Sequence, residues 1–144
     1  MLGQGASYEF RWRRWALMRD AIVAHLEGHQ PGSRFPQFAA IGNALGVDAV
    51  HLPATELAAE LREIRSGLAK LTVDELVLGP PTAMVLYPGV QLDTARLLTR
   101  AELAHVAPIA DAKTLAEYFS TMLESMLHVC DHPADDGTIE VVDG

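Results

Sequence analysis

Several features that other classes of protein need are absent from this sequence. It contains one cysteine, Cys130, so it cannot form an internal disulfide, and such cysteine usage is typical of a reducing compartment. It contains no run of about 18 apolar residues, which argues against a membrane-spanning helix. Its first residues, MLGQGASYEFRWRRW, lack the apolar stretch of a signal peptide. We therefore expect a soluble, cytoplasmic protein with no membrane partner.

Basic residues are also scarce. The 11 lysines and arginines are outnumbered by 19 acidic residues, giving a net charge of −8. This balance argues against a general binder of nucleic-acid phosphates, which needs a basic surface. No lysine or arginine follows Lys113, and the C-terminal third is acidic. The acidic residues there are Glu117, Glu124, Asp131, Asp135, Asp136, Glu140 and Asp143. This region is either a solvated face that favours solubility or a surface for a basic partner.

The chain is long enough for one domain. Its 144 residues, 49% of them apolar, would bury roughly two-thirds of the surface that the unfolded chain exposes. There is no internal repeat, no low-complexity tract and no linker. We expect a single domain over residues 1–144.

The N-terminal half shows one strand pattern followed by helical patterns. Residues 7–12 alternate aromatic and polar side chains, which is typical of a half-buried strand. Apolar residues then recur every three or four positions over residues 13–27, which predicts an amphipathic helix that ends at Gly28. Ser33 is placed to cap a shorter helix, from about Pro36 to Leu45.

The clearest helix follows Pro53. Its apolar residues step by four, three, four and three, as expected for one buried face of a helix of 16–18 residues. These residues are Leu57, Leu61, Ile64, Leu68 and Leu71. Residues 73–100 contain short apolar runs broken by Gly and Pro, and they are either two short strands or buried irregular segments.

A long helix is predicted to begin near Asp111 or Thr114, followed by a strand over residues 138–142. Its apolar face would comprise Leu115, Phe119, Met122, Met126 or Leu127, and Cys130. The pattern as a whole predicts an α+β fold: one small domain with three to four main helices packed on a small sheet that includes the N- and C-terminal strands.

No motif points to catalysis, a cofactor or a metal. His128, Cys130 and His132 are close in sequence, but Cys130 falls off the face that the two histidines share, and a structural zinc site needs four ligands. Cys130 lies near a helix C-terminus in an acidic stretch, which disfavours the thiolate, so we expect a small buried apolar residue. Arginines interleaved with Trp12 and Trp15 resemble a base-stacking surface, but aromatic residues at these positions more often anchor a core.

The order of features resembles the small cytoplasmic immunity proteins of bacterial polymorphic-toxin systems, most closely the immunity protein 70 family. Three stretches carry the resemblance: the N-terminal strand and helix with Gly32-Ser-Arg-Phe-Pro36, the leucine-rich helix over 58–71 with Pro80-Pro81, and Ala110 to Leu115 at the start of the last helix. The family usually follows its Pro-Pro with a loop containing Trp-Gly-Asp, whereas this sequence continues Thr-Ala-Met-Val-Leu-Tyr-Pro-Gly.

The resemblance implies a non-catalytic inhibitor that binds a cognate toxin domain in the producing cell. The acidic excess would speed association with a basic toxin. The partner-binding residues that we predict are Asp74, Glu75, Tyr87, Glu117, Glu124, Asp135 and Asp136. A protein-interaction module of the adaptor or effector-chaperone type is the alternative. The sequence leaves open whether the protein is a monomer or a homodimer.

Overall fold

The computed structural model describes residues 1–45, 49–71 and 112–143. In chain order, its elements are helix α1 (Trp12–Leu26), helix α2 (Pro36–Ile41), a 3₁₀ turn (Gly42–Ala44), strand β1 (Val50–Pro53), helix α3 (Ala54–Leu68), helix α4 (Ala112–Cys130) and strand β2 (Thr138–Val141). The irregular segment predicted over residues 73–100 lies outside the described residues.

The core forms where the apolar faces of the helices meet. Helix α3 contributes Leu57, Leu61, Ile64 and Leu68, each at most 7% exposed, which confirms four positions of the predicted stripe. The fifth, Leu71, lies beyond the end of α3 and is half-buried. Helix α4 packs against α3. The buried residues of α4 are Phe119, Met122, Leu123, Met126, Leu127, Val129 and Cys130.

Helix α1 adds a second apolar face. Trp15, Met18 and Ile22 are each no more than 2% exposed, as their spacing predicts. The helix ends where expected, because Gly28 adopts a positive φ of 55° and the Glu27 and His29 amides bond back to carbonyls of the last turns.

Helix α2 is held at its N-terminus by two glutamates from other elements. The Glu27 carboxylate accepts hydrogen bonds from the Arg34 and Phe35 amides at 3.0 and 3.1 Å. The Glu60 carboxylate, on α3, accepts from the Gln37 and Phe38 amides at 3.2 and 2.9 Å. Three of these amides, those of Phe35, Gln37 and Phe38, are among the ones that a helix start leaves without partners inside the helix.

The predicted cap for α2 was wrong in its residue. Ser33 lies two residues before the N-cap position, Phe35, and its hydroxyl donates to the Glu27 carbonyl at 3.2 Å. The carboxylate of Glu27 caps the helix instead, because this long buried side chain can accept hydrogen bonds from two successive amides at once.

The sheet has two antiparallel strands, β1 and β2, in which Val50 faces Val141 and Pro53 faces Thr138. The N-terminal chain joins the free edge of β2 through Leu2, whose amide and carbonyl both bond to Glu140. A turn with Gly5 at a φ of 77° then brings Ser7 back beside Leu2. The sheet therefore ties the two terminal segments together.

The predicted fold class is confirmed: the described residues form a small α+β arrangement with four helices and a small antiparallel sheet. The predicted strand over residues 7–12 was wrong. Beyond the bridge at Ser7 this stretch carries no strand, and α1 already begins at Trp12. The alternating aromatic residues there pack against the core and against each other, so burial accounts for the pattern without further strand pairing.

Candidate functional site

A surface groove of about 920 Å³ lies where the two ends of the described chain meet helix α4. Its lining comes from the N-terminal segment, the first turn of α1, Tyr118 of α4 and the C-terminal segment. The residues that line it are Met1, Leu2, Ser7, Tyr8, Glu9, Phe10, Arg11, Trp12, Arg14, Tyr118, Val142 and Asp143. We call this feature the aromatic groove.

The aromatic groove is connected to the core by a chain of ring contacts. The ring centroids of Tyr8 and Phe10 lie 5.9 Å apart, those of Phe10 and Trp12 4.9 Å, and those of Trp12 and Trp15 5.6 Å. Trp15 stacks in turn on Phe38, at 5.5 Å. The half-buried rings of the groove are therefore supported from below by fully buried rings, which favours a rigid surface.

Two polar contacts fix the geometry of the groove. The Trp12 indole N–H donates to the Asp143 carboxylate at 3.2 Å, joining α1 to the C-terminal segment. The Arg14 guanidinium lies over the Tyr118 ring, 4.5 Å from its centroid, joining α1 to α4. Such a cation–π contact holds the guanidinium plane in place.

The Tyr8 hydroxyl is a neutral group in this setting. Burial raises the pKa of Tyr8 to about 12, with a smaller contribution in the same direction from Tyr118 and an opposing one from Arg14. The phenol therefore keeps its proton at neutral pH and can donate a hydrogen bond.

The predicted acidic residues of α4, Glu117 and Glu124, do not line the groove. Glu117 and Glu124 are both exposed, and two helical turns separate them, so they share one face about 10 Å apart along the axis. Glu117 directly precedes Tyr118 in the chain. We call Glu117 and Glu124 the acidic face of α4, the helix that also contributes Tyr118 to the aromatic groove.

Asp135 and Asp136 lie elsewhere, in the exposed turn before β2. The Asp136 carboxylate accepts hydrogen bonds from the Thr138 hydroxyl at 2.7 Å and the Thr138 amide at 3.0 Å, and these bonds lower the pKa of Asp136. Asp136 therefore shapes the turn, and both residues belong to a different element from the pair on α4. Asp74, Glu75 and Tyr87 lie outside the described residues.

The histidines and the cysteine form no metal site in the described part of the chain, where no three potential ligands come together. The rings of His128 and His132 are close, with centroids 4.8 Å apart, while Cys130 is buried. Burial, and to a lesser degree Asp131, raises the pKa of the Cys130 thiol to about 11, in the direction predicted. Among the described helices, none is both long and apolar enough to cross a membrane.

No protein-family model matches this chain. No curated protein and no solved structure matches it either. The case for a function therefore rests on the geometry of the groove and of the acidic face.

Sequence patterns point only partly to the aromatic groove. Trp12 and Arg14 stand out in the sequence as interleaved aromatic and basic residues, but Tyr118 and Asp143, which complete the groove, are more than 100 residues away. Tyr118 carries no sequence signal, because it falls at the edge of the apolar face of α4. The alternation of aromatic and polar residues that begins at Tyr8 is a weak sequence signal for the groove, because Tyr8, Phe10 and Trp12 all line it.

Proposed function

We propose that this protein is an immunity protein that binds and neutralises a cognate toxin domain in the cytoplasm of the producing bacterium, without catalysis of its own. The observation that carries the proposal is the aromatic groove, together with the exposed glutamates of α4. Energetically dominant residues at protein interfaces are most often Trp, Tyr and Arg, which are the residue types that Trp12, Tyr118 and Arg14 contribute here.

The support beneath the groove favours tight binding. Trp12 and Tyr118 are already held, by the Asp143 carboxylate and by the Arg14 guanidinium respectively. Side chains that are ordered before a partner arrives lose little entropy on association. The groove is therefore suited to the low dissociation rate that an inhibitor of a lethal enzyme needs.

The acidic face supplies a second property, fast association. Glu117 and Glu124 are exposed and contribute to the net charge of −8. The negative electrostatic potential that results attracts a basic protein. Toxin domains that act on nucleic acid carry basic surfaces, so electrostatic steering raises the rate of encounter with such a toxin.

The first test uses the neighbouring gene. We expect it to encode a large secreted or surface protein whose C-terminal domain is toxic, and co-expression of this chain is expected to restore growth and to give a stable complex. Complex formation without loss of toxicity would favour the alternative, an adaptor or effector-chaperone role. If co-expression gives neither rescue of growth nor a complex, both the immunity function and the adaptor or effector-chaperone function are refuted.

The second test concerns the acidic face. The double exchange Glu117→Gln with Glu124→Gln is expected to lower the association rate by roughly threefold to tenfold at low salt, with the difference shrinking as salt rises. The control exchanges Glu56→Gln and Glu63→Gln on α3, which are also exposed and change the net charge equally. Equal effects of the two double variants in stopped-flow measurements would show that α4 has no special part in steering.

A further inference from the structure

Arg14, which lines the aromatic groove, has no anionic partner among the described residues, unlike two other arginines of this chain. Arg19 pairs with Asp20 at 2.8 Å, and Arg34 pairs with Glu63 at 3.6 Å. Arg14 is half-buried, yet within the described residues it forms no ion pair. A charge that is partly removed from water and left unpaired is costly, and a partner that supplied an anion would recover that cost.

The setting of Arg14 orients it for such an anion. The Arg14 guanidinium lies over the Tyr118 ring, 4.5 Å from its centroid, and Arg14 also lines the groove. A planar guanidinium fixed in this way presents two parallel donors that match a carboxylate. Tyr8 lines the same groove and adds a phenol that can donate a third hydrogen bond.

The remaining charges indicate the source of the anion. Glu9 and Asp143 also line the groove, and Glu117 lies on α4 next to Tyr118. A polyanion such as a nucleic acid would bring several phosphates close to these carboxylates, in a protein that is negative overall. A single carboxylate, set among the neutral and basic side chains of a protein surface, brings only one negative charge close to these carboxylates and is therefore repelled less than several phosphates.

We propose that the aromatic groove receives an aspartate or glutamate side chain of the partner protein, held by the Arg14 guanidinium against the Tyr118 ring. This inference rests on the proposed function for the identity of the partner, the toxin domain. It assigns the two features separate tasks: the acidic face attracts a basic surface, and Arg14 locks one acidic residue within that surface.

The test is a comparison of Arg14→Gln and Arg14→Lys with the wild-type chain, measured by calorimetric titration with the toxin domain. Arg14→Gln is expected to weaken binding by roughly 10- to 100-fold, and Arg14→Lys, which keeps the charge but loses the planar pair of donors, by less. The control is Arg65→Gln, an equal charge change at an exposed site on α3, with an expected effect below about twofold. Urea unfolding of each variant separates a binding defect from a folding defect.

A double-mutant cycle identifies the carboxylate. Each surface Asp or Glu of the toxin domain is exchanged for its amide, and one exchange is expected to be strongly non-additive with Arg14→Gln. The inference is overturned if Arg14→Gln binds within twofold of wild type, or if no toxin carboxylate couples to Arg14. It is also overturned if a short single-stranded oligonucleotide quenches the fluorescence of the tryptophans and Arg14→Gln abolishes that quenching.

These outcomes separate the two proposals. If wild type binds the toxin domain and Arg14 proves unimportant, only the carboxylate inference fails and the proposed function stands. If wild type binds no toxin domain, the proposed function fails, and the inference fails with it.

Discussion

Asp20 on α1 is a buried carboxylate whose removal should alter how stability depends on pH. Its residue exposure is 8%. One oxygen accepts hydrogen bonds from Arg19 at 2.8 and 3.2 Å, but the other, Oδ2, is buried with no hydrogen-bond partner in the described part of the chain. Burial raises the pKa of Asp20 to about 6, although Arg19 opposes this shift. We predict that Asp20→Asn removes a pH-dependent cost from the folded state.

The sign and size of the effect follow from the two pKa values. In the unfolded chain the pKa of Asp20 returns to about 3.8. Between this value and about 6 the folded state binds more protons, so the contribution of Asp20 to stability is most favourable on the acid side and is lost as the pH rises through 6. Each pKa unit corresponds to about 1.4 kcal/mol, so the full cost of the buried charge is about 3 kcal/mol, and about 1 kcal/mol of it develops between pH 5 and pH 7.

The assay is urea unfolding followed by tryptophan fluorescence at pH 5, 6 and 7, for wild type and Asp20→Asn. The free energy of unfolding of the variant, relative to wild type, should increase by about 1 kcal/mol from pH 5 to pH 7. Because the shape of the side chain is conserved, the difference reports the charge. The same comparison with Asp135→Asn, at an exposed site, provides the control. A difference between Asp20→Asn and wild type that stays constant with pH would refute the reasoning.

Three further predictions concern stability and reactivity. Glu27→Ala leaves the Arg34 and Phe35 amides without their acceptor and should lower the free energy of unfolding by about 2–4 kcal/mol, measured by urea unfolding; a loss below about 1 kcal/mol would contradict this. Gly42→Ala places a Cβ about 2.9 Å from a carbon of the rigid Trp15 ring and should cost about 1–3 kcal/mol in the same assay, whereas an unchanged midpoint would show that the ring can move. The Cys130 thiol, buried and with its pKa raised to about 11, should react with a thiol reagent only at the rate of unfolding at pH 7; rapid labelling of the native protein would contradict this.

The helices were predictable because their signals are local. The three- and four-residue steps of α1 and α3 specify which faces are apolar, and a face of that kind has to be buried wherever the chain places it. Gly28 marks the end of α1 because glycine readily takes the positive φ that this position requires. Strand β1 was missed because its four residues, Val50–Pro53, show too few alternations to be distinguished from a loop.

The candidate site was predicted only in part. Glu117 and Glu124 share an exposed face of α4, where a partner can reach them. The Asp136 carboxylate instead accepts hydrogen bonds from Thr138 within its own turn. The aromatic groove depends on Trp12 and Tyr118 meeting across more than 100 residues of chain, and no periodic pattern encodes such a meeting.

The sequence by itself determined what depends on composition and on near neighbours: the acidic net charge, the lack of disulfides and the apolar faces of the main helices. Only the tertiary structure decided which polar groups meet across long separations in the chain. It placed Glu60 on the amides of α2, it stacked Arg14 on Tyr118, and it buried one oxygen of Asp20 away from every hydrogen-bond donor of the described residues. The physical reason is that periodicity specifies which face of an element is buried, whereas the partner of a single polar group depends on how whole elements pack.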